Sequence, residues 1–259
     1  MEKLTIVKVG GKIVEEEDAL KQLLADFNHI SGNKILVHGG GRSATAMAEK
    51  LGIETVMVEG RRVTSKPMLD VVTMVYGGLV NKNIVAGLQG LGCNAAGFTG
   101  ADMGIIRSIK RPVREVDYGF VGDVVNVNTR ELCLLMQQGV APVIAPITHN
   151  GKGLLLNTNA DTIASELAIA LSEHYNVYLV YCFEKDGVLS DPDNDQSVIY
   201  ELNQTLYTEY KANGTIAAGM IPKLDNAFRA LQGGVSEVLI MNAKNLTRPV
   251  AKGTVIRRE

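Results

Sequence analysis

The sequence predicts an α/β fold on a largely parallel sheet, and three observations carry that prediction. Short apolar runs recur along the chain without the strict alternation of a half-exposed strand, as buried parallel strands do. The first two, residues 4–9 and 35–38, stop at glycines, Gly10-Gly11 and Gly39-Gly40-Gly41. Each is then followed by residues at helical spacing. Strand, glycine loop, helix, twice over, is the βα repeat of a parallel sheet. A chain of 259 residues suffices for one large α/β domain, or for two lobes on one sheet, with a substantial core.

The elements follow in order. Residues 16–30 place Leu20, Leu23, Leu24 and Phe27 on one helical face, and a helix through Ala44, Met47, Ala48 and Leu51 follows the second glycine loop. Ser65 is a candidate N-cap and Pro67 suits a first turn, so a long helix runs from there through Leu69, Val72, Val75 and Leu79 to about Leu91. Residues 95–98 read as a strand, and residues 105–127 as antiparallel hairpins. Asn128 with Glu131 has the spacing of a capping box for a helix over 129–139. A strand over 142–147 and a short one over 154–156 precede a helix that opens at Asn157-Thr158-Asn159-Ala160-Asp161 and ends near Ser172. Residues 177–183 form the most apolar strand and belong at the sheet centre. A loop over 184–194, helices over 206–212 and 220–232, a strand over 237–241 and a last edge strand over 254–257 complete the chain. A boundary between Ser172 and Asn176 gives two expected lobes, 1–174 and 175–259.

Composition removes several functions. Lys and Arg number 26 against 28 Asp and Glu, a net charge of −2 with no basic tract, so there is no electrostatic footprint for nucleic acid. No apolar run reaches the length of a membrane span, and a strand begins at Leu4 with no room for a leader, so a cytoplasmic protein is expected. Cys93, Cys133 and Cys182 are widely spaced without a CxxC, as for reduced thiols, and His29, His38, His149 and His174 lack metal-site spacing.

A few positions look chemical. Alternation puts Leu4, Ile6 and Lys8 on one strand face, and a lysine ending an apolar strand either faces an anion or snorkels from an edge. Gly10-Gly11, and Gly39-Gly40-Gly41 between strand and helix, offer free N–H groups to a phosphate or carboxylate, or simply make tight turns. His38 reads as structural, and the chain lacks the GxSxG elbow that an esterase reading of HGGG needs. Arg62 is a fork for a carboxylate or a surface arginine. Of Asn157, Asn159 and Asp161, one caps a helix, and a carboxylate here could hold ammonium groups. Lys223, after Pro222 in a first turn, opposes the helix dipole unless an anion lies near. GxxxxGK[ST], HRD and DFG are all absent.

Together the ordered motifs KVGGK (8–12), HGGG (38–41), GRRVT (60–64), NTNAD (157–161) and GMIPK (219–223) resemble the amino acid kinase family along nearly the whole chain. The resemblance implies a three-layer αβα sandwich whose N-terminal lobe takes an acylated amino acid and whose C-terminal lobe takes ATP with Mg2+. Its HGGG and GxRVT pairing implies transfer of the ATP γ-phosphoryl to the γ-carboxylate of N-acetyl-L-glutamate, with no covalent enzyme intermediate. By motif match, Lys8 and Lys223 would stabilise the transferring group and Asp161 would orient both. Gly10, Gly11 and Gly40 would offer amides to phosphoryl oxygens. Gly41, Arg62, Asn157 and Asn159 would hold the acceptor. Glu184, Lys185, Asp186, Gly187, Thr215, Ile216 and Ala217 would contact ATP, and Mg2+ would be held mainly by the nucleotide rather than by protein ligands.

Two segments depart from the family pattern. Residues 181–187 replace its usual Thr/Ser-Asp-Val-x-Gly turn. Residues 97–102 replace Gly-Leu-Ser-Gly-Lys/Gly-Asp close to where the acyl group would lie, which leaves N-succinyl-L-glutamate as a second acceptor. Other carboxylate acceptors and a non-catalytic sensor complete the alternatives. Arginine-inhibited, hexameric members of the family resemble one another in carrying an N-terminal helix, and the first strand here starts at Leu4 without one, so the resemblance implies an arginine-insensitive homodimer.

Overall fold

In the computed structural model, which describes residues 1–58, 60–216, 218–247 and 253–259, eight strands make one sheet. In chain order they are β1 (Lys3–Val9), β2 (Asn33–His38), β3 (Ala95–Phe98), β4 (Ala141–Ile144), β5 (Asn176–Phe183), β6 (Glu201–Leu202), β7 (Glu237–Asn242) and β8 (Thr254–Ile256). The spatial order is β6-β8-β7-β5-β1-β2-β4-β3. Every adjacent pair is parallel except β7 with β8. The most apolar strand, β5, does lie centrally, against β1, and Lys8 stands level with Tyr181 on one side and Val37 on the other. Lys8 is therefore on an interior strand, and the reading of an edge lysine is excluded.

Helices cover both faces. They are α1 (Gly11–Glu15), α2 (Glu17–Asn28), α3 (Gly41–Lys50), α4 (Lys66–Gly90), α5 (Thr129–Gln137), α6 (Ala160–Leu171), α7 (Gln204–Ala212) and α8 (Ile221–Gln232). Leu4, Ile6, Val177 and Leu179 pack with α6 and α8 on one face, whereas Val7, Val9, Val180 and Cys182 pack with α2, α3 and α4 on the other. This parity is the strand alternation read from sequence, and the result is the expected αβα sandwich. Each fully buried Val, Leu or Ile contributes roughly 1.5–3 kcal/mol of transfer free energy, so two filled faces hold the sheet firmly.

A smaller four-stranded sheet (Ile106–Lys110, Gly122–Val127, Ile147–His149, Leu155–Asn157) and a hairpin (Val56–Val58, Arg61–Val63) stand beside this core. The segment expected as one strand over 142–147 is interrupted after Ile144 and resumes at Ile147 in the smaller sheet. Pro146, which has no N–H for a ladder, lies at that switch. Strand β8 is not an edge, because β6 pairs outside it. Asn128 precedes α5, but its side chain makes no cap; its amide reaches the Met103 carbonyl instead.

Helix α4 starts as expected, with the Ser65 hydroxyl accepting from the Met68 N–H and a proline in the first turn. Over Thr73–Val80 it widens to π-helical turns. Each such turn adds a residue and shifts the phase, so Tyr76 and Val80 are buried while Met74 and Leu79 face outward, against the plain 3.6 period. At 25 residues, α4 is also long and apolar enough to cross a membrane by length and composition. That corrects the sequence reading that no segment is, but Met68, Val72, Val75 and Ile84 seal its inner face into the core.

Candidate active site

The glycine loops meet at the C-terminal ends of β1 and β2, where ligand crevices of parallel sheets form. The Gly10 N–H donates to the Cys182 carbonyl at 3.1 Å, and the Gly39 N–H to the Val9 carbonyl at 3.1 Å. Gly10 therefore continues the sheet, and its expected role as a phosphoryl donor is not supported. The next residues differ. A Cβ on Gly11 would lie 3.4 Å from the Gly40 nitrogen and 3.5 Å from that of Gly41, and one on Gly39 would lie 3.2 Å from the Gly11 nitrogen. Three amides crowd together here because no side chain stands between them. Among the described residues, the N–H groups of Gly11, Gly40 and Gly41 take no acceptor from the chain. Gly41 opens α3, so the helix dipole adds to their attraction for an anion.

Beside the loops stands a buried charge cluster. Lys8 Nζ is 2.6 Å from Asp161 Oδ1 as an ion pair, and Lys223 Nζ donates to Asp161 Oδ2 at 3.0 Å. Asp161 is fixed by its backbone, since Asn159 caps α6 by accepting from the N–H groups of Asp161 (2.8 Å) and Thr162 (3.1 Å). The buried Tyr181 hydroxyl donates to the Asp161 carbonyl at 3.3 Å. Burial alone would raise the carboxyl pKa, but the two lysines outweigh it and hold it down to about 2. Lys8 is held below the ordinary lysine value, chiefly by burial, with Asp161 opposing and Lys223 reinforcing the shift. One aspartate thus binds two cations, leaving a net positive charge at the end of the sheet.

An open cleft of about 250 Å³ adjoins the cluster. Its walls include Gly39, Gly40 and Gly41 on one side, and on the other Ala160, Thr162 and Pro222, the chain neighbours of Asp161 and Lys223. Arg62 lines it too. Its Nη2 donates to the Gly41 carbonyl and the Thr45 hydroxyl, each at 2.8 Å, and Nη1 to the Thr55 hydroxyl at 3.4 Å. All these partners are neutral, so Arg62 brings uncompensated charge to the cleft. Such a charge suits a carboxylate. Asn157 lines the cleft with its amide on the Thr64 hydroxyl at 3.0 Å. Asn159 lines it as well; its side-chain oxygen caps α6, which leaves its amide nitrogen as the group that can face a ligand.

Among the wall residues that sequence reading missed are Tyr76 and Arg111. Tyr76 packs on Gly40, where a Cβ would come within 3.1 Å of its ring, but the π-helical shift hides it from any periodic pattern. Arg111 is fixed by two donations to Asp123 Oδ1 (3.0 and 2.6 Å) and lies over the Tyr118 ring, partners twelve and seven positions away that no local signal connects. The segment over 97–102 does not line this cleft; Thr99 and Asp102 close a turn on one another, at 2.6 and 2.7 Å. His38 is structural as read. It is fully buried, its Nε2 faces the Asn81 amide and its Nδ1 the Gly39 carbonyl, and burial lowers its pKa to about 4 against that carbonyl's pull.

The residues expected to contact nucleotide lie near the far strands and are held by partners outside that set. The Glu184 carbonyl accepts from Asn242 (2.8 Å), Asp186 from Asn245 (3.3 Å), and Lys185 pairs with Asp195 (2.6 Å) in solvent. Gly187 is glycine for steric reasons, since a Cβ would meet the Thr254 hydroxyl at 2.7 Å. The Thr215 N–H donates to Asn213, and Ile216 is a core side chain whose N–H bonds Tyr210. Ala217 lies outside the described residues. Among the described residues no cluster of three His, Cys, Asp or Glu could hold a metal, and both Asp161 oxygens already face lysines.

Comparison with known proteins agrees with this geometry. The model of the amino acid kinase family matches residues 3–242. The chain is 62% identical over 257 residues to an acetylglutamate kinase of Phocaeicola vulgatus, covering 99% of both chains. To an acetylglutamate kinase of Bacteroides thetaiotaomicron it is 64% identical over 239 residues, 92% of this chain and 93% of that one. The crystal structure of smu.665 from Streptococcus mutans superposes with a TM-score of 0.81 at 27% identity, over 99% of each chain. Paired lysines on one aspartate, glycine amides at two strand ends and a match along the chain lead to one conclusion: the chain belongs to the amino acid kinase family.

Proposed function

We propose that the protein is an N-acetyl-L-glutamate kinase, transferring the γ-phosphoryl of ATP to the γ-carboxylate of N-acetyl-L-glutamate and giving N-acetylglutamyl 5-phosphate and ADP in arginine biosynthesis. The observation that carries this reading is the convergence of Lys8 and Lys223 on Asp161 beside the free amides of Gly11, Gly40 and Gly41. The relatives' names support acetyl over succinyl as the acyl group.

The chemistry asks for little covalent help. A glutamate side chain, with an ordinary pKa of about 4.3, is already ionised at pH 7, so no general base is needed. A carboxylate oxygen forms the new O–P bond as the bond to ADP breaks, and ADP leaves with the electron pair. Catalysis is then alignment plus compensation of charge on the three equatorial oxygens. Lys8 is suited to one side of that group and Lys223 to the other, while Asp161 keeps both aimed and the glycine amides donate along the sheet end. Arg62 takes the acceptor's α-carboxylate and Asn157 its amide. A divalent cation, which we propose to be Mg2+, would be held mainly by the nucleotide and water rather than by protein ligands, and would supply compensation of phosphate charge. Residues 1–174 serve the acceptor and 175–259 the nucleotide. We place the enzyme in the cytoplasm as a homodimer, in which the outward Met74 and Leu79 of α4 would be covered.

The test is an acceptor screen with ATP and Mg2+, following ADP release and hydroxamate trapping of the acyl phosphate. N-acetyl-L-glutamate should give the highest kcat/KM among it, N-succinyl-L-glutamate, glutamate, aspartate and carbamate. A higher value for another acceptor would replace the substrate, and no ADP from any would leave a sensor.

A further inference from the structure

Helix α3 must begin at the glycine loop without a conventional cap. Its N-cap residue is Gly40, and no side chain there accepts from the first turn. Ser, Thr, Asp or Asn would ordinarily do so. None fits, because a Cβ at Gly40 would lie 3.1 Å from Tyr76 and the backbone has φ +156°. The missing acceptor comes from another helix. Glu15, the last residue of α1, places Oε1 2.7 Å from the Ser43 backbone nitrogen and 3.0 Å from the Ser43 hydroxyl. Ser43 is the third residue of α3, whose N–H an N-cap side chain usually takes.

This contact spans the two glycine loops. Helix α1 begins at Gly11 and α3 at Gly41, the residues whose amides crowd together. Below them, the β1–β2 ladder fixes the strand ends; above them, Glu15 and Ser43 tie α1 to α3. The carboxylate engages the Ser43 N–H and leaves those of Gly40 and Gly41 for a ligand. We propose that Glu15 is a positioning residue for the phosphoryl cradle, holding Gly11 against Gly40 and Gly41 so that their N–H groups stay convergent. Glu15 itself does not line the cleft and lies outside the lysine cluster. The proposal rests on the phosphotransferase reading above.

The test uses Glu15→Ala, Glu15→Gln and Ser43→Ala in the whole protein, with steady-state kinetics on ATP and N-acetyl-L-glutamate and amide hydrogen exchange over residues 39–44. Glu15→Ala should lower kcat about tenfold with both KM values held within about threefold, the pattern of a lost transition-state interaction. It should also speed exchange of the Gly40, Gly41 and Ser43 amides. Glu15→Gln, whose side-chain carbonyl still accepts from Ser43, should restore kcat to within about threefold of the parent and restore protection. Ser43→Ala removes only the hydroxyl donor and should cost about twofold in kcat, which keeps the idea testable if Glu15→Ala folds poorly. An unchanged kcat in Glu15→Ala, a loss confined to KM, or a Gln variant as slow as Ala would overturn the proposal. Exchange is read without turnover: unaltered exchange in Glu15→Ala rejects the tie even in an inactive protein, whereas absent turnover in the parent rejects the functional reading.

Discussion

The side of the molecule that we propose for the acceptor and the side that we propose for the nucleotide are built differently. On the proposed acceptor side the chemical groups are held by long-range structure: Lys8 by β1 between β5 and β2, Asp161 by a capped helix, Arg62 by three neutral acceptors. On the proposed nucleotide side, Lys185, Asp186 and Thr215 sit in loops held by single side chains, of which Asp195 and Asn213 are exposed and Asn245 is buried. Lys8 and Asp161 are each 7% exposed, whereas the Lys185–Asp195 pair is in solvent. Burial makes the first set intolerant and preset. The second set can rearrange around an incoming nucleotide at small cost, since exposed pairs contribute little.

The largest effects should therefore fall on the buried side. Asp161→Ala leaves two cations without their anion, one of them buried, and should destabilise the fold by about 3–5 kcal/mol in denaturant unfolding at pH 7. An unfolding midpoint close to the parent's would break the comparison at its root. Next, Lys8→Ala or Lys223→Ala should lower kcat on the order of 10²–10³, as loss of one oxyanion donor does. Near-normal turnover in either would remove that lysine from the mechanism.

Acid should act through the same buried side. His38 is neutral in the fold with its pKa near 4, below the ordinary 6.5, so the unfolded chain binds its proton first. Its contribution, about 3 kcal/mol, is present above pH 6.5 and lost as the pH falls through about 4. Asp161, held near 2, contributes above its ordinary value of 3.8 and loses that only as the pH falls through about 2. Stability measured between pH 7 and 4.5 should drop in the parent and drop less in His38→Gln. Equal slopes would assign the acid sensitivity elsewhere.

Arg62→Lys, which keeps the charge but loses the planar fork, should raise KM for the acceptor about tenfold with kcat changed less than about threefold. The smallest effect belongs to the nucleotide side, where Lys185→Ala should change KM for ATP by no more than about threefold. A larger change there would show that the loop is preorganised after all.

Legibility in the sequence follows the same division. Parallel strands buried on both faces are near-continuous apolar runs, so β1, β2, β5 and β7 could be read directly, and Lys8 stood out because a charge in such a run demands a partner. Asn159 capping α6, and hence the placement of Asp161, was equally local. What escaped required distance. Tyr76 reaches the cleft through π-helical turns, Arg111 is fixed by a partner on a neighbouring strand, and nothing in residues 254–257 shows that Glu201–Leu202 will pair outside β8. Gly10 and Gly11 look alike in sequence, yet one N–H serves the sheet and the other faces the cradle. Asn128 had the spacing of a capping box, but its side chain reaches Met103.

The most direct measurement is a double-mutant cycle on kcat with Lys8→Ala, Lys223→Ala and the combined variant. If both ammonium groups act on one phosphoryl group through a shared carboxylate, the double loss should be far smaller than the product of the single losses. A combined effect equal to that product would mean that the two lysines act independently, and would contradict the account.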